Sequence, residues 1–227
     1  MDGEILEKPH FEGDEEEKEE SLIKRLGKFL IALFLIFLMI YFSGPRDFLF
    51  FRRTPEEVTV RKMDPIVDME EVFIPVRVLA LREEVFGTSR NDEEIESLIE
   101  NSFNIMAQAE IYPGGVRIEE RELSREEIGR VLEGDFNFLN PKRGEINIIL
   151  VKSLGGLNGI AFPGRSTTII PDYTAGRDYR TLAHEIGHLF GLGHQERGDM
   201  VMSQGSYGVH FSVEEVLKMR KNIDEKF

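Results

Sequence analysis

Three of the chain's five histidines fall within eleven residues, in the segment His184-Glu185-Ile186-Gly187-His188-Leu189-Phe190-Gly191-Leu192-Gly193-His194. No other stretch of the sequence limits the fold so tightly. Positions four apart on an α-helix lie one above the other, so His184 and His188 present both imidazoles to one small cation. Glu185 lies one step round the same turn. It is too far round to be the natural ligand, yet close enough to take a proton from a water held by that cation. His194 joins the set only if the chain leaves the helix abruptly, and Gly191 is the residue type that adopts the left-handed conformation such an exit needs. Three neutral imidazoles leave the fourth tetrahedral position to water, the arrangement of a catalytic zinc rather than of a closed structural one.

The pattern H-E-x-x-H-x-x-G-x-x-H resembles the metzincin superfamily of zinc endopeptidases. The resemblance implies one catalytic Zn2+ on His184, His188 and His194, with Glu185 as general base, and a methionine-containing turn beneath the metal. Met202, eight residues beyond His194, is the candidate for that turn, with Met200 as the alternative. By residue type alone Met202 also reads as an ordinary core methionine, because thioethers fill gaps well. Upstream, Gly159-Ile160-Ala161-Phe162 resembles the antiparallel edge strand along the cleft of matrixins. An extended peptide adds to such an edge through its backbone. By pattern alone a plain hairpin strand remains open.

Other residues depart from the relatives. Archaemetzincins carry cysteines where Gln195 and Met200 stand, and Gln204 occupies the position of a zinc- or oxyanion-directed tyrosine in astacin-like members. Tyr207 is a candidate for the oxyanion or for the pocket wall by proximity. His210 and His10 fall outside the metal set, which three histidines complete. Gly155-Gly156 lacks the Lys-Ser/Thr and the following helix of a phosphate loop.

Composition narrows the classes further. With 28 Lys plus Arg against 42 Asp plus Glu, the formal charge of −14 disfavours non-specific nucleic-acid binding. The absence of cysteine rules out disulfides, thiolate metal sites and a thiol nucleophile. It also removes the propeptide thiol by which matrixins hold themselves latent. Much of the acidity lies in residues 1–21, which hold ten acids against two lysines and read as a disordered tail.

Phe29 to Pro45 carries no charge, and residues 22–44 are expected to form a transmembrane anchor. Lys24, Arg25 and Lys28 would snorkel to the headgroups. A cleaved signal peptide is the rival, set against it by the long acidic preceding segment and the lack of a small-x-small site. Basic residues flank both ends about equally, so charge leaves the orientation open. The catalytic domain is expected on the extracytoplasmic side, since a cytoplasmic endopeptidase without a latency device would need some other restraint.

Residues 45–72, with Pro45, Pro55 and Pro65 among charges, read as a juxtamembrane linker, leaving 73–227 for the metalloprotease domain. Ile74, Val76, Val78 and Ala80 alternate as in a buried strand. Asn91-x-x-Glu94, Ser124-x-x-Glu127 and Ser212-x-x-Glu215 are three helix-opening boxes. Ile146 to Val151 is a β-branched run typical of a central strand. The resulting order is strand, helix, strand, helix, three strands, helix, irregular segment, helix. That predicts an α/β (α+β layered) fold with a twisted mixed sheet, an active-site helix and a C-terminal helix. The expected function is a membrane-anchored zinc endopeptidase acting on extended polypeptides, with a catalytically silent, anchored peptide-binding module as the alternative.

Overall fold

A computed structural model describes residues 60–135, 137–204 and 207–226. The acidic tail, the expected anchor at 22–44 and His10 lie outside the described residues. Among the described residues, no helix is long and apolar enough to cross a membrane.

Five strands form one sheet in the order β2-β1-β3-β5-β4. They are β1 (Val72–Leu81), β2 (Ile111–Arg121), β3 (Ile146–Val151), β4 (Ile160–Phe162) and β5 (Thr167–Pro171). β1 runs parallel to both β2 and β3, and β3 runs parallel to β5. Only β4 is antiparallel, pairing Ile160 with Ile169 and Phe162 with Thr167 at one end of the sheet. The mixed sheet and the order of elements match the sequence expectation.

Helices cover the faces unequally. Those described are α1 (Asp92–Met106), α2 (Arg125–Leu132), α3 (Asp178–Leu189) and α4 (Val213–Lys226). On one face, Ile74, Val76, Val78, Ile146, Ile148 and Leu150 pack against apolar residues of α1, α3 and α4 in the larger core. On the other, Leu79, Leu81, Ile149, Val151 and Ile169 meet Val131 of α2 and the neighbouring loops. Both faces of β3 are buried, which is why its sequence is a continuous apolar run with Asn147 its one polar side chain.

The helix starts follow the boxes read from sequence. Asn91 and Glu94 cap α1 reciprocally, Ser124 and Glu127 cap α2, and Ser212 and Glu215 exchange the same two bonds at α4. Each box satisfies two amide donors that a helix start leaves without intrahelical acceptors.

Residues 60–71, assigned from sequence to the juxtamembrane linker, instead strap across the domain. Val60 donates to Asn101 Oδ1 at 2.5 Å and accepts from Asn104 Nδ2 at 2.8 Å. Met63 donates to Asn104 O at 3.0 Å and Ile66 to Gln108 O at 2.9 Å. Val60, Met63, Ile66, Val67 and Met69 are partly buried against the larger core. Pro65 and the interleaved charges break up this stretch, so the apolar spacing at Val60, Met63 and Val67 is not continued into a regular element.

Removing the strap should therefore destabilise the fold. A chain beginning at residue 72 is expected to lose about 3 kcal/mol or more relative to one beginning at 60, from four hydrogen bonds at ~1 kcal/mol each and the apolar contacts beside them. Urea unfolding of the two chains checks this, and equal midpoints and slopes would contradict it.

Candidate metal centre

The site is built where α3 ends. Asp178 occupies the first turn, accepting from Tyr179 N at 2.7 Å and pairing with Arg90 at 2.6 Å, a favourable place for a negative charge. The helix runs twelve residues and stops at Leu189, and Gly191 takes φ +83°. Gly191 N donates to His188 O at 2.9 Å and Leu192 N to Gly187 O at 3.0 Å. These two bonds are the Schellman arrangement, with glycine at its left-handed position. Asn222 of α4 donates to Phe190 O at 2.7 Å, satisfying a further carbonyl of the helix end.

The exit brings the three predicted ligands together. His188 Nε2 lies 3.1 Å from Nε2 of His184 and 3.1 Å from Nε2 of His194. A zinc ion held tetrahedrally at ordinary Zn–N lengths needs nitrogens roughly 3.3 Å apart, so these spacings suit it. The outward nitrogens are engaged elsewhere. His184 Nδ1 lies 2.8 Å from Val201 O, and His188 Nδ1 lies 2.9 Å from Leu192 O. A carbonyl only accepts, so each Nδ1 carries the ring proton and each Nε2 offers a lone pair inward. Burial also holds both rings neutral, pushing His184 down to about 4 and lowering His188. The cluster of His184, His188 and His194 fits one catalytic zinc ion.

Glu185 lies beside this cluster, 7% exposed, and burial pushes its carboxyl up to about 7. A carboxylate poised near neutrality is suited to accept and return a proton. Its position depends on a missing side chain. A Cβ at Gly159 would fall 2.8 Å from Glu185 Oε1 and 2.8 Å from its Cγ. Gly159 therefore lets the start of the β4 edge press against the carboxylate. Both line a cleft of about 750 Å³, together with the three histidines and Ala161.

Met202 is fully buried beneath the site, its sulfur against the helix at Gly187, where a Cβ would come within 2.6 Å of Sδ. Gly187 was an unremarked variable position in the sequence motif, and this contact gives it a purpose. Met200 is buried as well but pairs by backbone with His210. His210 is exposed and enters the site only through its carbonyl, which accepts from Val201 N at 2.8 Å.

The remaining candidates divide. Ile160 and Ala161 line the cleft, whereas the Phe162 side chain packs against Gly134 on the side of the smaller core. Tyr207 is 72% exposed and is not one of the cleft-lining residues.

Of three polar residues of the site, sequence reasoning passed over Arg180 and Asn158 and read Gln204 only as a departure from astacin-like members. Arg180, one turn before His184, is buried and donates to Val201 O at 2.7 Å, Ser203 O at 2.6 Å and Gly208 O at 3.0 Å. It ties α3 to the segment that carries Met202, and its spacing of four from His184 was the available signal. Asn158 accepts from Ala175 N at 2.7 Å, joining the loop before β4 to the loop before α3. The third, Gln204, contacts His194.

No family model matches the chain, and no curated protein does. Among solved structures it is similar to metalloproteinase-II from Bacteroides fragilis, at 15% identity and TM-score 0.46, covering 73% of this chain and 57% of that one. It is also similar to archaemetzincin from Methanopyrus kandleri, at 19% identity and TM-score 0.46, covering 67% of this chain and 96% of that one. A zinc-dependent peptidase from Methanocorpusculum labreanum has 13% identity and TM-score 0.38, covering 63% of this chain and 99% of that one. The chain thus spans less than two thirds of the length of the Bacteroides protein.

The metal-free protein should take up one equivalent of zinc and gain thermal stability as it does so, because a ligand that binds only the folded state adds RT ln(1 + [L]/Kd). His188→Ala, which removes the central nitrogen, should lower the affinity by about a hundredfold or more, on the order of 3 kcal/mol. Zinc titration followed by calorimetry checks both, and wild-type affinity in the variant would contradict the assignment.

Proposed function

We propose that the protein is a zinc-dependent endopeptidase that hydrolyses peptide bonds of extended polypeptides. The observation that carries this reading is the contact of Gly159 with Glu185, which sets a buried carboxylate between the three imidazoles and the edge of a β-sheet. β4 ends the sheet, and an extended peptide adding to its outer edge would lie along the cleft beside that carboxylate. Zinc, when bound, supplies a Lewis acid that acidifies water and polarises a carbonyl.

The chain's own residues supply the rest. His184, His188 and His194 would hold the ion through their Nε2 atoms. Glu185 Oε1 or Oε2 takes the proton of the attacking water and delivers it to the departing amine nitrogen. The β4 backbone holds the substrate extended and fixes which carbonyl faces the site. Met202 beneath the cleft and Arg180 in its wall keep the site in place.

Cleavage of an unbiased mixture of unstructured peptides by residues 54–227, read by mass spectrometry, tests the reading. The wild type should cut, and Glu185→Ala should lose activity by a factor of about 10² to 10⁴ while still binding zinc. Gly159→Ala should also cut poorly with zinc retained, because its methyl group displaces the carboxylate. Full activity in Glu185→Ala would sink the mechanism. Peptide bound but left intact by the zinc-loaded wild type would mark the protein as a silent binding module instead.

We further propose that residues 22–44 anchor the chain in a membrane, with the domain on the extracytoplasmic face, on the strength of the uncharged stretch from Phe29 to Pro45. The protein should stay with membranes through alkaline washing, and protease added to sealed cells should digest its C-terminal domain. Release by the wash, or protection in sealed cells, would overturn the respective half of this assignment.

A further inference from the structure

The three histidines are not held alike. His184 and His188 turn their Nδ1 atoms onto main-chain carbonyls, those of Val201 and Leu192, at 2.8 and 2.9 Å. His194 turns its Nδ1 onto a side chain, the terminal amide of Gln204, whose nitrogen lies 3.1 Å away. A carbonyl dictates the position of the ring proton, whereas an amide does not. It offers an acceptor oxygen and a donor nitrogen at nearly the same place, exchanged by a half turn.

The two orientations have opposite consequences. With the oxygen toward Nδ1, the ring proton sits on Nδ1 and Nε2 is a free lone pair beside those of its neighbours. With the nitrogen toward Nδ1, the amide donates, the ring proton is driven to Nε2, and His194 cannot ligate. Metal binding therefore requires the acceptor orientation.

The protein places Gln204 firmly enough for this to matter. Arg180 grips the carbonyl of the preceding residue, Ser203, at 2.6 Å, and Gln195 N, next to His194, bonds Met202 O at 3.0 Å. The two ends of the loop that carry the histidine and the amide are thus tied together, and both side chains line the cleft.

We propose that Gln204 is a positioning residue of the metal centre, which sets the tautomer and orientation of the third ligand by accepting a hydrogen bond from His194 Nδ1. The proposal rests on the three histidines holding zinc and goes beyond it, since it assigns to an exposed glutamine the duty that backbone carbonyls perform for the other two ligands. Outer partners of metal-bound histidines are typically worth 10- to 100-fold in affinity.

Zinc affinity of the full chain, measured by competition with a chromophoric chelator, tests it without reference to peptide cleavage. Gln204→Leu and Gln204→Ala should bind zinc about tenfold more weakly or worse. Gln204→Glu, which presents only acceptors, should retain or exceed the wild-type affinity. In a His194→Ala background the Leu and Ala changes should cost less than about twofold, because a residue that acts through His194 has nothing left to act on. Unchanged affinity in the first background, an equal loss in both, or a loss in Gln204→Glu matching that in Gln204→Leu would each overturn the proposal. Failure of the wild type to bind zinc would instead strike at the metal centre itself.

Discussion

The site depends first on a helix that ends within a residue of where it must. Were α3 to run on past Phe190, Leu192 would face outward along the axis and its carbonyl would bond a later amide rather than His188. The left-handed turn at Gly191 does two things in one step, since it closes the helix with the Schellman pair and aims the Leu192 carbonyl at His188 Nδ1. It also carries the chain back toward His194. A side chain at that position would meet both backbone strain and Asn222, whose amide would lie 2.4 Å from an added Cβ. The C-terminal helix is thus part of the support of the metal centre, through the bond from Asn222 to Phe190 O.

A second node lies at the carbonyl of Val201. It faces His184 Nδ1 and receives Arg180 NH2, while Val201 N is held by His210 O. The first ligand, the wall of the cleft and the floor at Met202 therefore share one short segment. Gln108, fully buried in the short turn that follows α1, accepts from Phe211 N and donates to Val209 O through its side chain, while its main-chain carbonyl receives Ile66 N from the strap. The residues before β1 and those after Met202 meet at one residue, the strap on its main chain and the later segment on its side chain. This gives the strap a mechanical link to the wall of the site, at a distance from the chemistry itself.

What the sequence made legible, and what it hid, follows from whether an interaction is local. The capping boxes at Asn91, Ser124 and Ser212 lie within four residues of the groups they satisfy, and all three open helices as read. The three ligands and the left-handed glycine are set by spacing along one helix and its exit, and they too were legible. The strap was not, because Asn101, Asn104 and Gln108 reach some forty residues back along the chain to meet it. Phe162 misled for another reason. Along β4, Ala161 packs toward the larger core while Ile160 and Phe162 pack toward the smaller one, so the Phe162 side chain lies on the face away from that of Ala161. The spacing of Arg180 from His184 was legible and Gln204 was read as a departure, but the contacts of both were hidden, because their partners are loop carbonyls and a ring nitrogen whose positions no periodicity encodes.

Two of the glycines carry information of another kind, through what occupies the space their side chains would fill. At Gly187 that space holds Met202 Sδ, and at Gly159 it holds the Glu185 carboxyl. The second contact bears on chemistry as well as shape. Glu185 is pushed up to about 7 by burial, and part of that burial is the β4 edge itself, brought close because Gly159 has no Cβ. Widening the gap would admit water, relieve the desolvation and move the carboxyl back toward its ordinary range. On the proposed mechanism, the same glycine would draw the edge on which a peptide lies close to the proton acceptor and would help keep that acceptor basic enough to work near neutrality. On that reading, substrate placement and basicity would share one packing contact.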